Sequence, residues 1–258
     1  MIDFNSILQT FEPISLEEMD SVKLMERTDT KYVFPIAKLP EILKGMISQY
    51  RLLEINNIRV QRYESLYYDT KDLLLYNKHL IGKPNRYKIR FRRYLDSDGL
   101  TFFEIKHKNN KKITSKKRAK MVDIESGIVT KANEFLIKNT PYLPEIFMPS
   151  IWVNYSRMTF VNKFSQERVT IDTNLNYIKA ISNNNSSFSF PQMVIAESKR
   201  EKATSVSQFI RLVRNTGVRK GAISKYCFGI YNLFENVPKN NLKPKVRFIY
   251  KMAKIPYN

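Results

Sequence analysis

Charged and apolar side chains alternate along several short segments of this chain, and the charged members are of the types that bind phosphate. Residues 87–93 place Lys88, Arg90 and Arg92 at alternate positions between apolar ones. Because successive side chains of a β-strand point to opposite faces, such a segment has one apolar face and one fully charged face. The same pattern recurs in residues 102–108, 168–173 and 194–200. Faces of this kind are suited to hold a strongly anionic ligand.

Carboxylates stand among these cations. Glu104 shares a strand face with Lys106, and Glu197 shares one with Lys199. A carboxylate weakens a groove that binds polyanions by charge alone, but a divalent metal beside a phosphate chain requires one. We expect Asp172 to be the structural partner of an arginine rather than a metal ligand.

The charged faces allow two arrangements. In the first they are ordinary solvated faces of a sheet whose apolar faces form a dry barrel core. In the second the apolar faces lie outward beneath helices, and the charges converge on a wet, basic channel that an anion or water must fill. The first arrangement is the simpler one for any single strand. Lys88, Arg90 and Arg92 would repel one another at two-residue spacing unless an anion lies between them. Several helices able to cover the outside make the second arrangement feasible, but the sequence alone does not select it.

The whole chain is strongly basic, with 44 Lys and Arg against 24 Asp and Glu and a formal net charge of +20. This charge predicts attraction to nucleic acid, acidic lipid, nucleotides or phosphate polymers, although a composition rich in Asn, Ile and Lys explains part of the excess. A hydrophobic content of 43% over 258 residues excludes a disordered chain. The single cysteine, Cys227, excludes an intramolecular disulfide and a cysteine-based metal cluster.

The hydrophobic periodicity predicts both helices and strands. Helices are expected near residues 4–11, 40–50, 131–138, 206–213 and 225–234. Strands are expected near residues 30–35, 152–161, 168–173 and 193–200, with several more between 58 and 124. Turn residues at 96–99 and 108–111 indicate that consecutive strands are antiparallel.

Two helix boundaries have recognisable signals. Ser15 and Glu18 form a capping box, in which each side chain can satisfy the other residue's backbone amide. Thr204 or Ser205 is expected to cap the helix over 206–213, and Gly217 to follow its end.

A single domain over residues 1–258 is the simplest organisation, because no internal repeat or linker composition divides the chain. It would comprise an N-terminal helical segment (1–25), a core (26–236) and a loosely packed basic tail (237–258). No apolar run is long enough to cross a bilayer, and the N-terminus lacks the form of a secretion signal. We therefore expect a cytoplasmic protein whose tail could touch acidic lipid at the inner face of a membrane, or a membrane-protein partner.

Aromatic residues interleaved with basic strands are also typical of nucleic-acid-binding surfaces. The candidates for stacking are Tyr63, Tyr67, Tyr68, Phe91, Phe102 and Phe103. We expect most of them on the faces opposite the cations, where core packing explains them better, and we expect no specific nucleic-acid partner.

An ordered series of short motifs carries a resemblance to a known family. The motifs occupy residues 27–35, 67–70, 88–93, 103–108, 115–118, 155–157, 168–173, 196–199 and 223–226. Together they resemble the catalytic domain of the vacuolar transporter chaperone (VTC) polyphosphate polymerases, which belong to the triphosphate tunnel metalloenzymes together with the CYTH phosphatases. A Glu-x-Glu-x-Lys signature near Lys31, typical of the CYTH phosphatases, is absent, and this favours the VTC branch.

The resemblance implies a fold and an activity. The expected fold is α+β, a closed antiparallel β-barrel with a polar, basic interior, covered outside by helices. The expected activity is transfer of the terminal phosphate of ATP to a growing inorganic polyphosphate chain, with Mn²⁺ or Mg²⁺ as cofactor. It implies the catalytic module only and nothing about export of the product.

Roles can be assigned to the matching residues as a hypothesis. The catalytic set is Arg90, Arg92, Lys106, Arg157, Arg168 and Glu197. The phosphate-binding set is Lys31, Lys88, Lys116, Arg118, Tyr155, Lys199 and Lys225. Glu197 is the first candidate metal ligand, and Glu104 is either a second ligand or the partner of a neighbouring cation. His79 and His107 are expected to be incidental, with His107 on an apolar face.

Two other functions fit the same residues. With water as the acceptor, the site would be an inorganic or nucleoside triphosphatase. Without turnover, it would be a polyphosphate- or nucleotide-binding module, although Glu197 beside the cations favours an enzyme.

Overall fold

A computed structural model describes residues 4–21, 27–111, 113–124, 128, 130–181, 186–201 and 207–257. Helices α1 to α8 span Asn5–Gln9, Leu16–Ser21, Leu39–Met46, Leu74–Leu80, Thr130–Asn139, Gln208–Asn215, Lys225–Leu233 and Lys243–Ala253. Strands β1 to β11 span Pro13–Ile14, Arg27–Pro35, Tyr50–Leu53, Gln61–Asp69, Arg86–Tyr94, Leu100–Lys108, Thr114–Met121, Met148–Asn162, Glu167–Lys179, Ser187–Phe190 and Met193–Glu201. Short 3₁₀ helices span Ile36–Lys38 and Pro144–Ile146.

All strands belong to one sheet. Its main path is β2-β11-β9-β8-β4-β5-β6-β7, and every pair along it is antiparallel. Strands β1, β3 and β10 attach beside this path, and β1 pairs with β3 in parallel. The antiparallel, β-rich α+β fold is therefore as predicted.

The hydrogen-bonded path ends at β2 and β7, and in the described strands no ladder joins these two. The expected closure of the barrel is thus not made by backbone hydrogen bonds. The sheet is nevertheless strongly curved, because Lys31 of β2 lines the same cavity as Lys106 of β6 and Thr114 of β7. The concave side of this curved sheet is called the channel below.

The convex side carries the apolar strand faces. Beneath α1, α3 and α6 lie side chains of β2, β8, β9 and β11, including Phe34, Phe160 and Val194. Beneath α5 lie side chains of β4, β5 and β6, including Phe91 and Phe103. The second of the two predicted arrangements is therefore the observed one, and helices exclude water from the outer faces while the charges point into the channel.

Part of the channel is filled by helices α7 and α8. Their apolar side chains pack on tyrosine and aliphatic residues of the inner face, in a cluster that includes Tyr177, Phe228 and Val246. The approach of α7 is close, because a Cβ atom on Gly229 would lie 2.6 Å from Ile151 Cδ1 and 2.7 Å from Tyr177 Cδ1. One end of the channel is thus an apolar core, which the alternating pattern did not indicate.

Local signals placed several boundaries correctly. The capping box at α2 is formed, with Ser15 N donating to Glu18 Oε2 at 2.9 Å and Glu18 N to Ser15 Oγ at 3.2 Å. Gly217 follows α6 with φ +75°. Thr204 and Ser205 lie outside the described residues, and Ser207 caps α6 by accepting from Ile210 N.

Other elements were missed. Helix α4 and strand β10 have no sequence prediction, and the predicted loose tail contains α8, whose Val246 and Ile249 are buried. The apolar positions of α8 recur at helical spacing, but its high basic content obscured them. No helix in the described ranges has the length and apolar character needed to span a membrane.

Candidate functional site

One cluster of charges joins β5, β6 and β7 around Glu104. Arg90 donates to Glu104 Oε2 from Nε and Nη2 at 2.8 and 2.6 Å, and Lys116 Nζ lies 2.5 Å from Oε1. Arg92 Nε is 3.9 Å from the same carboxylate. Register explains the cluster, because Arg90 and Glu104 are directly opposed on neighbouring strands. Although burial alone would raise the pKa of Glu104, these three cations hold it well below its usual range.

A second cluster surrounds Asp172 on β9. Arg157 of β8 donates to it from two nitrogens, at 2.6 and 2.9 Å, and Lys225 at the start of α7 donates at 2.5 Å. The expected pairing of Asp172 with an arginine is therefore confirmed. Burial opposes ionisation, but Arg157 and Lys225 keep the pKa of Asp172 well below its usual range. This carboxylate fixes cations of a strand and a helix in one place.

A third cluster surrounds Glu197 on β11. Its Oε1 pairs with Lys31 Nζ of β2, and its Oε2 is 3.8 Å from Lys199 Nζ. Although burial would raise it, Lys199 and Lys31 lower the pKa of Glu197 to about 2. Asp172 lies opposite Ile195, two residues from Glu197 on the same face, so the second and third clusters are neighbours.

Tyrosine rings support the arginines. Tyr63 and Tyr155 stack with centroids 5.2 Å apart, and Arg92 and Arg157 lie over the Tyr63 ring at 5.4 and 5.2 Å. Arg92 also donates to Tyr155 Oη at 2.8 Å, and Arg90 to Tyr67 Oη at 2.7 Å. These contacts restrict the arginine side chains before any ligand binds.

The expectation for the aromatic residues was wrong in part. Tyr63, Tyr67 and Phe102 lie on the cationic face, whereas Tyr68, Phe91 and Phe103 pack in the outer core. Tyr63 and Tyr67 are nonetheless buried beneath arginines and α7 rather than exposed. Such rings do not offer the open stacking surface that single-stranded nucleic acid requires.

Two cavities lie along the channel. The inner cavity has a volume of about 140 Å³ and is lined by Tyr67, Lys88, Arg90, Glu104, Lys106 and Lys116. The channel mouth, about 400 Å³, is lined by Asp29, Lys31, His79, Arg86, Lys88, Lys106, Lys108, Thr114, Ala222, Ile223, Ser224, Leu242 and Lys245. Lys88 and Lys106 line both, so the cavities adjoin at these two lysines.

The charged forms of the two shared lysines are destabilised by their surroundings. Lys88 Nζ donates to Ser224 Oγ at 2.9 Å, and loss of hydration lowers its pKa. Loss of hydration and repulsion by Lys88 and Lys31 lower the pKa of Lys106 to about 8. An anion between them would relieve both effects.

Two predicted residues stand apart from these clusters. Arg118 is opposite Glu104 in the ladder, but its guanidinium lies over the Phe102 ring at 4.7 Å. Arg168 is opposite Lys199, and its Nη2 donates to the carbonyl of Met19 in α2 at 3.0 Å. Arg168 therefore reaches toward the end of the channel near α2.

Several residues that line the channel mouth were not identified from the sequence. Arg86 and Lys108 continue the alternation of β5 and β6 by one step, so that signal was available. His79 lies on the unpredicted helix α4 and Lys245 on the unpredicted helix α8. His79 was considered incidental, but it contributes to a cavity wall. His107 does stack on Tyr87, away from the inner cavity and the mouth.

The channel carboxylates differ in what they could offer a metal ion. Both oxygens of Glu104 are engaged by Arg90 and Lys116, which favours its alternative role as the partner of cations. Glu197 Oε2 has its cation at 3.8 Å, beyond hydrogen-bond distance, so it fits a divalent ion. Within the described ranges no three His, Cys, Asp or Glu residues form a metal-binding group. The fit is therefore to an ion that takes its other ligands from phosphate and water.

Comparison with known protein families agrees with this geometry. The VTC domain matches residues 26–234, most of the chain and all three charge clusters. The chain belongs to the VTC domain family. A comparison with curated proteins finds no match.

Solved structures resemble this VTC domain at low sequence identity. A candidate adenylate cyclase from Bacillus halodurans matches with a TM-score of 0.51 and 10% identity, covering 82% of this chain and 100% of its own. A candidate adenylyl cyclase from Hippeastrum with a dominant triphosphatase activity matches with a TM-score of 0.48 and 11% identity, covering 82% and 98%. The first likeness shows that this VTC domain shares its fold with that protein.

Proposed function

We propose that this protein is a metal-dependent polyphosphate polymerase that transfers the terminal phosphate of ATP to a polyphosphate chain inside the channel. The observation that supports it best is the convergence of cations from six strands (β2, β5, β6, β7, β8 and β11) and α7 on the inner face, around carboxylates that pair with most of them. Phosphoryl transfer depends mainly on such positioning and on neutralisation of charge. Membership of the VTC domain family agrees with this reaction.

The inner cavity is the proposed place of transfer. The cavity is lined by four cations, Lys88, Arg90, Lys106 and Lys116. Two further arginines, Arg92 and Arg157, lie over the ring of Tyr63. A terminal oxygen of the acceptor chain would bond to the γ-phosphorus of ATP while the bond to the β–γ bridging oxygen breaks, and ADP would leave. An ionised phosphate acceptor needs no general base.

The remaining predicted residues have supporting roles in this proposal. Lys31, Lys199 and Lys225 would hold phosphates on the side of β2, β11 and α7. Tyr155 would orient Arg92, and Arg168 and Arg118 would attract phosphates toward the channel from its edges. Ligand phosphates would also neutralise the cations of β7 and β2, which allows these edge strands to approach and close the channel around the chain.

A divalent cation, Mn²⁺ or Mg²⁺, completes the proposal. Glu197 would hold it through Oε2, and phosphate oxygens and water would supply the other ligands. The ion would add positive charge where phosphate oxygens develop negative charge in the transition state.

The test is incubation of the purified protein with ATP and Mn²⁺, followed by gel analysis of the products. Long phosphate chains support the proposal. Release of free phosphate alone would identify a triphosphatase, and binding without any product would identify a binding module; either result contradicts the polymerase.

Matched variants test the site. We expect Glu197→Ala and Arg90→Ala each to lower chain synthesis by at least about 100-fold, since each removes a charge that acts on the transferred phosphate. Lys117→Ala is the control, because Lys117 is exposed on the outer face of β7 beside the inward Lys116. Full activity in either channel variant would overturn the site assignment.

A further inference from the structure

The channel mouth has an excess of positive charge that the proposed transfer does not use. Four of its lysine and arginine side chains, those of Lys31, Arg86, Lys108 and Lys245, lie outside the inner cavity, and of these only Lys31 has a role in the proposed transfer. Asp29 is the one carboxylate among its lining residues. Cations gathered around a cavity repel one another unless an anion occupies it, so the mouth is built for negative charge.

Lys245 comes from a part of the chain outside the family match. The match to the VTC domain ends at residue 234, and α8 begins at Lys243. Helix α8 is nevertheless fixed, because Leu242, Val246 and Ile249 are buried against the inner-face cluster. Tyr250 Oη also donates to Asn232 Oδ1 of α7 at 2.6 Å. The position of Lys245 at the mouth is therefore a property of the folded protein.

His79 adds a polar group in need of a partner. Its buried Nδ1 has no hydrogen-bond partner within the described residues. Loss of hydration and the charges of Lys88, Arg86, Lys245 and Lys108 lower the pKa of His79 to about 3. A neutral imidazole does not add to the repulsion, and its ring N–H could donate to a phosphate oxygen.

The two lysines shared by the cavities indicate the kind of anion. Lys88 and Lys106 line both cavities, so a linear anion that extends from one to the other would remain in contact with cations. The inner cavity has a volume of about 140 Å³ and the mouth about 400 Å³, so most of the space for further phosphates lies in the mouth.

We propose that the channel mouth is a separate subsite for polyphosphate, in which Arg86, Lys108 and Lys245 bind chain phosphates beyond the place of transfer. This inference rests on the proposed function for the identity of the chain. In this proposal α8, which lies beyond the residues matched to the family, helps to retain the chain between successive transfers.

Binding of two phosphate ligands of different length tests the subsite. The probes are tripolyphosphate and a polyphosphate long enough to span both cavities, titrated calorimetrically into the wild-type protein, Lys245→Glu and the double variant Lys108→Ala/Lys245→Ala. We expect the variants to lose about 10-fold in affinity for the long chain and to show a salt dependence reduced by about one unit of slope per cation removed. Tripolyphosphate should bind as in the wild type, which also shows that the variants fold.

Lys251→Ala is the matched control, since Lys251 is an exposed lysine of α8 that does not line the mouth. Equal losses for both ligands, or no loss for the long chain, would overturn the subsite. The outcome is separate from the proposed function, because a wild-type protein that makes no polymer can still show the length-selective loss. Conversely, an active polymerase with unaltered chain binding in the variants would refute only the subsite.

Discussion

At the scale of single residues, the channel is organised by carboxylates placed between cations. Glu104 is 2% exposed and contacts Arg90 and Lys116 directly, while Arg92 is close by. In the absence of ligand the carboxylate offsets the repulsion among these cations. In the presence of ligand the same cations have further N–H groups that can donate to phosphate oxygens. In the proposed function the acidic residues would thus hold the cations in place for phosphate.

We expect Glu104→Gln to lower the free energy of unfolding by about 2–3 kcal/mol, because the variant leaves three cations without their buried counter-charge. Tripolyphosphate should stabilise this variant more than the wild type, since the ligand supplies the missing negative charge. Chemical denaturation with and without ligand measures both effects, and Glu145→Gln at an exposed position is the control. Unchanged stability in the absence of ligand would contradict the role given to Glu104.

The lowered pKa of Lys106 predicts a pH dependence. Its ammonium group loses its proton near pH 8, so the unliganded site loses positive charge as the pH rises through this value. Affinity for tripolyphosphate should therefore fall above pH 8 in the wild type. Lys106→Arg should keep its charge and reduce this fall, although Lys88 and Lys116, whose pKa values are also lowered, would leave a residual decline.

Titrations between pH 6.5 and 9.5, a range of about 1.5 pH units on each side of that pKa, measure the effect. Lys117→Arg on the outer face should keep the wild-type profile. An identical decline in the wild type and Lys106→Arg would show that another group is responsible.

At the scale of elements, α7 links the apolar end of the channel to its charged end. Tyr226 Oη donates to the buried Asp69 at 2.5 Å, and Asp69 also accepts from the backbone amides of Leu75 and Tyr76 in α4. At the start of α7, Ser224 Oγ accepts a hydrogen bond from Lys88, and Lys225 donates one to Asp172. The packing of α7 therefore determines the positions of the Lys88–Ser224 and Lys225–Asp172 contacts.

We expect Gly229→Ala to destabilise the protein by about 1–3 kcal/mol, because the new methyl group would overlap Ile151 and Tyr177 and push α7 from the sheet. The displacement should also weaken tripolyphosphate binding, since Lys225 moves with the helix. Gly221→Ala is the control, because an added Cβ there would meet only Arg219 O, at 4.0 Å. Loss of stability without loss of binding would show that α7 does not position the site.

Sequence patterns were informative where they are local. The alternation in residues 87–93 and the turn at 96–99 correctly predicted an antiparallel pairing of β5 with β6 and a shared face for Lys88, Arg90 and Arg92. They did not determine whether that face points into a channel or to solvent. The pairing of Lys225 with Asp172, 53 residues apart, and the packing of α8 on α7 depend on tertiary contacts that no local pattern contains. Hence Lys88 and Lys106 were recognised, whereas His79 and Lys245, on helices not predicted, were missed.

At the scale of the whole molecule, one curved sheet separates two environments. Its convex side is a helix-covered apolar core, and its concave side gathers part of the net charge of +20 into a channel. Low-dielectric walls around such a channel concentrate the electrostatic field and attract polyanions. In the proposed function, separation of β2 from β7 would let a polyphosphate chain enter the channel from the side as well as from the mouth.

The most direct test of this account is a crystal structure of the protein with tripolyphosphate and Mn²⁺. We predict phosphate groups in the inner cavity, in contact with Arg90, Lys88 and Lys106, and the ion bound to Glu197 Oε2. Phosphate bound only on the convex surface, or a channel that stays without ligand at concentrations that saturate binding in solution, would contradict the central claim that the inward cations form the phosphate site.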